Sequence, residues 1–234
     1  MPFADYTFYK SNPAITVVQN NNDPFSGDGG ALEISNAGLE ISSPINAVNG
    51  HLSTAIAGQT VGFIRTEIYV SDHTLDISRE GEYGIYCMAD SLDLANLSGK
   101  AYAFVIHFAN VVDWRIVEYT NGIGQHSVPA PPIIHEQGSS VISPGVGKTL
   151  LMQFAWTLDV EGIGGIRLHA QVAEGTDSAL LEDVYDITLG SGILDTSVQQ
   201  GLLYADLEGG TGAETKRVWF NNTFTTAYDI VSVG

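Results

Sequence analysis

Cysteine is almost missing from these 234 residues: Cys87 stands alone, so no disulfide can close within the chain. Its setting, YGIYCMA, is an apolar strand-like run in which a thiol serves as a small core residue rather than a nucleophile. Positive charge is scarce too. Nine Lys plus Arg against 27 Asp plus Glu give a formal charge of −18, which repels phosphate backbones and anionic lipid surfaces. Nucleic acid and membrane are therefore excluded as partners, and the simplest use of the charge is solubility, with cation binding or a basic partner as the other uses. No apolar run approaches the ~18 residues of a membrane span. Hydrophobic residues at 44% nevertheless argue against disorder. The N-terminus, MPFADYTFYKSNPAIT, has neither a basic nor a continuous apolar region, so the chain is expected to stay in a cytoplasm or leave by lysis. Helical periodicity is nearly absent. Only residues 90–97 and 177–184, each opened by an Asp suited to N-capping, are expected to form a helical turn or two.

What the chain has is alternation. In KTLLMQFAWTLDVEGIGGIRLHAQV, Leu150, Met152, Phe154, Trp156 and Leu158 share one face, and Ile166, Leu168, Ala170 and Val172 share another across a Gly-rich turn. Thr149, Gln153, Thr157, Arg167, His169 and Gln171 fall on the opposite side, which is the pattern of a half-buried antiparallel hairpin. The same rhythm predicts strands over 31–35, 38–42, 61–71, 83–89, 100–108, 112–120, 200–207, 218–224 and 228–233. So many strands with so little helix read as an all-β, two-sheet antiparallel β-sandwich. The expected organisation is an N-terminal arm and loop over 1–30 and a single sandwich domain over 31–234.

Two segments interrupt the alternation. Residues 20–30, NNNDPFSGDGG, form the exit from the N-terminal arm. Residues 121–147, NGIGQHSVPAPPIIHEQGSSVISPGVG, hold four prolines and read as a long loop; such loops carry function, so partner contacts are expected at His126, Pro131, Pro132 and His135.

Motifs for catalysis fail on inspection. SPGVGKT resembles a phosphate loop, but Ile142 stands where its first Gly belongs and a strand follows it. His135 and Glu136 begin a zinc-protease pair, yet Ser139 occupies the place of the second His. Asp159 and Glu161 are spaced like a glycosidase pair but fall at the hairpin turn, where acids are ordinary solvated residues. Glu182, Asp183 and Asp186 read as the exposed side of a short helix. No cofactor is expected; calcium alone is left open, with Asp23 and Asp28, or Asp72 and Asp76, as oxygen ligands.

The series YAFVIHFANVVDWRIVEYTNG, LLMQFAWTLDVEGIGGIRLHAQVAEG and VWFNNTFTTAYDIVSV resembles the strands of the concanavalin A-like (laminin-G-like) jelly-roll family over roughly residues 60–233. The terminal F-D-N-F phrase of that family reads Phe220-Asn221-Asn222-Thr223-Phe224 here, and the E-x-D-x-x-E phrase of its glucanases has no counterpart. The resemblance implies a jelly roll whose sugar-binding members use the concave face or the loops of one edge. Aromatic platforms beside planar polar groups suit sugar rings. Arg115 and Tyr119, out of phase with Trp114 and Ile116, and Trp219, out of phase with Val218 and Phe220, are the candidate ligand-binding residues.

Taken together these readings give the expectation of a non-enzymatic structural protein of a virus particle, most simply a bacteriophage capsid decoration or accessory protein located in the virion. It would assemble as a symmetric oligomer, a trimer suiting a particle surface, alongside other virion proteins. The alternative is a carbohydrate-binding adhesin with glycans as partners, and the third reading is a glycoside hydrolase or lyase.

Overall fold

The computed structural model describes residues 7–10, 16–20, 31–35, 49–55, 61–72, 81–87, 101–108, 112–120, 132–138, 146–160, 165–175, 177, 179, 181–189, 200–207 and 217–227. These hold fourteen strands. The first seven are β1 (Thr7–Lys10), β2 (Thr16–Asn20), β3 (Ala31–Ser35), β4 (Asn49–Ala55), β5 (Val61–Asp72), β6 (Gly81–Cys87) and β7 (Ala101–Phe108). The rest are β8 (Val112–Tyr119), β9 (Ile133–Gly138), β10 (Val146–Val160), β11 (Gly165–Glu174), β12 (Glu182–Leu189), β13 (Gln200–Leu207) and β14 (Arg217–Ala227). They form two seven-stranded antiparallel sheets, ordered β1-β4-β13-β6-β7-β8-β9 and β12-β11-β10-β5-β14-β3-β2. The fold is a jelly-roll β-sandwich.

Alternation decides which side of each strand is buried between the sheets. In the second sheet Ile64, Thr66 and Ile68 of β5, Leu150, Met152, Phe154 and Trp156 of β10, and Ile166, Leu168, Ala170 and Val172 of β11 are buried. The first sheet answers with Tyr83, Ile85 and Cys87 of β6, Tyr102, Phe104 and Ile106 of β7, and Val112, Trp114 and Ile116 of β8. Phe104 and Phe154 meet across the gap with ring centroids 6.1 Å apart, which identifies these two faces as the inner ones. Burial alone drives the Cys87 thiol and the Tyr83 phenol well above their ordinary pKa values, so both stay neutral core groups.

The β10–β11 hairpin has the register its sequence predicts, with Phe154 opposite Ala170 and Trp156 opposite Leu168. At its open end Gly175, at φ 99°, adopts the left-handed conformation that lets its N–H return to the Thr149 carbonyl at 2.7 Å.

Three expectations change. The second helical turn is cut short by a strand: Asp177 Oδ1 accepts from the N–H of Ala179, which is 3-10 helical, at 2.9 Å, but from Glu182 onward the chain pairs with β11 as an edge strand. Tertiary pairing overrides the local N-cap signal there, and Glu182, Asp183 and Asp186 lie on a strand instead of a helix. The segment 121–147 is not one loop, since it contains β9 and the first residues of β10. Residues 1–30 supply β1 and β2, one to an edge of each sheet. The expected strands over 38–42 and 228–233, the turn over 90–97, and the residues Asp23, Asp28 and Asp76 lie outside the described residues.

Candidate functional site

The outer face of the first sheet is not an ordinary solvated surface. On β6, β7 and β8 the residues out of phase with the core are Glu82, Gly84 and Tyr86; Ala101, Ala103, Val105 and His107; and Asp113, Arg115, Val117 and Tyr119. Ala101, Ala103, Val105, Val117, Tyr86 and Tyr119 make a second apolar cluster on this side, each 0% or 1% exposed. Two polar groups are set into it. A lone polar side chain in such surroundings would cost several kcal/mol, roughly 2–7 by transfer arguments, so the partners each one has found matter.

The first group centres on Glu82, itself 1% exposed. Its Oε1 accepts hydrogen bonds from the Tyr119 hydroxyl at 2.6 Å and the Tyr86 hydroxyl at 2.8 Å. The two rings stack with centroids 5.6 Å apart and planes 21° off parallel. The second group centres on Asp113. Oδ2 accepts from Arg115 Nε at 2.8 Å, and Oδ1 lies 2.9 Å from His107 Nδ1. Burial acts to raise the Asp113 carboxyl, but hydrogen bonds from His107 and Arg115, with the guanidinium charge behind them, win and hold it below the usual carboxylate range. An ionised carboxylate only accepts, so the imidazole presents an Nδ1 proton to it. The bond to Asp113 fixes the orientation of the His107 ring. Ladder pairing places Glu82 directly opposite His107, so both groups occupy neighbouring rows of the same face.

A depressed carboxyl stabilises the folded chain above its unfolded pKa of about 3.9 and loses that contribution as pH falls through the lower folded value. Urea unfolding should therefore show Asp113→Asn to be less stable than wild type at neutral pH, by about 1.5–3 kcal/mol for a hydrogen-bonded charged group. The gap should narrow below about pH 4. A gap that stayed constant down to acid unfolding would show that the carboxylate charge is not what stabilises the group.

One register row crosses the whole sheet: Tyr9, His51, Tyr204, Gly84, Val105, Arg115 and Gln137. Gly84 lies at its middle. A Cβ there would fall on the Phe104 carbonyl and on Val105 Cα, so the strand backbones require glycine at this position.

The residues singled out from sequence are divided by the fold. Arg115 and Tyr119 share the outer face, Arg115 with its side chain 19% exposed and Tyr119 buried over Glu82. Trp219 belongs to the other sheet, at a position paired with Glu33 and Tyr69. His135 lies on β9, 3.0 Å from Glu118 Oε2 and with its ring centroid 6.4 Å from that of Tyr102; Pro132 immediately precedes the strand. His126 and Pro131 lie outside the described residues. Among the described residues no group of three or more His, Cys, Asp and Glu is placed to hold a metal ion. The sequence reading passed over Glu82, His107 and Asp113. The available signal was a polar residue at an alternating position inside an apolar run, as in YAFVIHF.

The second sheet carries a polar row of another kind. Arg65 Nε donates to Gln153 Oε1 at 2.9 Å, Gln153 Nε2 to Gln171 Oε1 at 2.6 Å, and Gln171 Nε2 to Asp183 Oδ1 at 2.6 Å. His169 Nε2 also reaches Asp183 Oδ1, at 2.9 Å. This chain runs from a cation to an anion and ties four strands together, which is a structural use of its donors.

No family model and no curated protein sequence matches the chain. Solved structures do. An endo-β-1,4-glucuronan lyase from the fungus Trichoderma reesei aligns with a TM-score of 0.61 at 13% identity, covering 95% of this chain and 90% of its own. An alginate lyase from Aplysia kurodai gives 0.57 at 11% identity, over 94% and 90%. An alginate lyase from a Chlorella virus gives 0.55 at 9% identity, over 96% and 94%. These likenesses show the fold. They also correct the expectation of a non-enzymatic virion protein, which took a jelly roll without a known motif to be a passive shell component. The same sandwich, at nearly the same length, serves polysaccharide lyases, and nothing in these likenesses points to a capsid. The expectation that the chain is not an enzyme falls with it.

Proposed function

We propose that this protein is a carbohydrate-active enzyme of the lyase type, which engages a uronate-containing polysaccharide at Arg115, the part-exposed member of the outer-face group on the first sheet. The observation that carries the reading is the Arg115–Asp113–His107 group on that face, an oriented imidazole beside a guanidinium, in a fold shared with glucuronan and alginate lyases. Hydrolysis of a glycoside by paired carboxylates suits the site less well, because Glu82 is buried under two tyrosines.

The chemistry assigned is β-elimination. His107 Nε2 takes the proton from the carbon next to the uronate carboxyl. That C–H electron pair becomes the new ring double bond, the bond to the glycosidic oxygen breaks, and its electrons leave with that oxygen, which is then protonated. On the same side of the ring the new imidazolium returns the proton. Arg115, whose Nε is committed to Asp113, presents its terminal nitrogens to the sugar carboxylate, where positive charge stabilises the developing anion.

Incubation with glucuronan, alginate and a neutral glucan, followed by ultraviolet absorbance of the unsaturated uronate, tests this directly. Product from a uronate polymer and none from the glucan is the expected result. A chain of charge −18 repels such a polymer, so kcat/KM should rise with added salt, the reverse of a steered encounter. Tight binding of a glycan with no unsaturated product would favour the second reading, a binding module.

A further inference from the structure

Among the described residues, the large apolar side chains left exposed are Ile133 at 48% and Ile134 at 45%, side by side on β9. β9 is the last strand of its sheet, paired on one side to β8. Edge strands are usually guarded by charge, proline or a bulge, because unpaired backbone groups beside apolar side chains invite another strand. Here Pro132 stops the strand at Ile133 and a bulge falls at His135, where Ile116 pairs with Glu136 and Val117 with Ile134. These devices bound the edge to six residues, and among the described residues no strand pairs on its other side.

We infer that β9 pairs antiparallel with β9 of a second copy of this chain, about a two-fold axis between His135 and Glu136. The strand sequence IIHEQG is self-complementary about that point. His135 then stands opposite the partner's Glu136 and Glu136 opposite the partner's His135, two cross-strand pairs of opposite charge when the imidazole is protonated. Ile134 stands opposite the partner's Gln137. Ile133 stands opposite the partner's Gly138, a position with no side chain of its own, where an added Cβ would lie 2.6 Å from the Trp114 ring. A two-fold axis perpendicular to the sheet keeps inner residues with inner and outer with outer, so two seven-stranded sheets become one of fourteen.

A six-residue ladder buries less than the ~1,200 Å² of a stable interface, so the pair is weak and forms at high protein concentration. Two chains of charge −18 also repel, so salt should strengthen it. Light scattering across a concentration series, at low and high salt, is expected to show the molar mass rising from that of one chain towards that of two, more readily in salt. Ile134→Lys, an exposed site whose change leaves the fold intact, should return it to one chain throughout. With Ile134→Cys and Gln137→Cys in the same chain, oxidation should link two copies. A mass that stays at one chain, a dimer that survives Ile134→Lys, a trimer, or failure of the paired cysteines to link would each overturn the inference.

Discussion

Gly84→Ala is expected to destabilise the protein by about 4 kcal/mol or more, a large share of the total stability of a domain. Strand β6 is central in its sheet, hydrogen-bonded to β13 on one side and β7 on the other, so it cannot move without parting a ladder. The atoms an alanine Cβ would meet are the Phe104 carbonyl and Val105 Cα, which are backbone and cannot rotate away. Gly138→Ala is the control. Its Cβ would meet Trp114 ring atoms at 2.6–2.8 Å, but these belong to a side chain and not to the backbone, so overpacking of about 1–3 kcal/mol is expected. Urea midpoints of the two variants, with near-ultraviolet circular dichroism to confirm packing, measure the difference. Equal losses would mean that β6 and β7 do not approach as their register requires.

The fold class was legible because alternation is a local signal. The β10–β11 hairpin shows it over ten paired positions, and its register follows from the turn alone. Strands β9 and β12 were not legible, for opposite reasons. β9 is six residues between prolines and glycines, too short for a period to show. β12 carries Glu182, Asp183 and Asp186 after a capping Asp177, so its local signals favour a helix until β11 supplies hydrogen bonds.

The candidate site was half legible. Phase along β8 separates Arg115 and Tyr119 from Trp114 and Ile116, and the structure has that separation. Phase cannot say which sheet a strand joins, so Trp219 looked equivalent to Tyr119 although they belong to different sheets. Glu82 was invisible for a related reason. Its partner Tyr119 is 37 positions away, and the contact exists only because β7 lies between their strands. A carboxylate beside glycines reads as a turn acid until two phenols are found on it.

His107→Ala should lower kcat by about 10²–10⁴ on a uronate polymer, the span ordinarily attributed to a positioned base, with KM changed little. The orientation of the His107 ring decides the size of the loss. Asp113 stays ionised because His107 and Arg115 both bond to it, and with an Nδ1 proton presented to that carboxylate, Nε2 is the nitrogen assigned to the proton transfer. Removal of the ring should take away chemistry and leave glycan contacts elsewhere on the face in place. Asp113→Asn should reduce kcat less than His107→Ala, since an amide oxygen can still accept from Nδ1 but no longer stabilises the imidazolium that forms in the step. Initial rates over a substrate series, with calorimetric binding measured separately for each variant, separate the two effects. A His107→Ala variant that kept its kcat would remove His107 as the base and transfer that role to another group on the same face. An equal loss of binding and turnover would mean that the His107–Asp113 group shapes the face without taking part in the proton transfer.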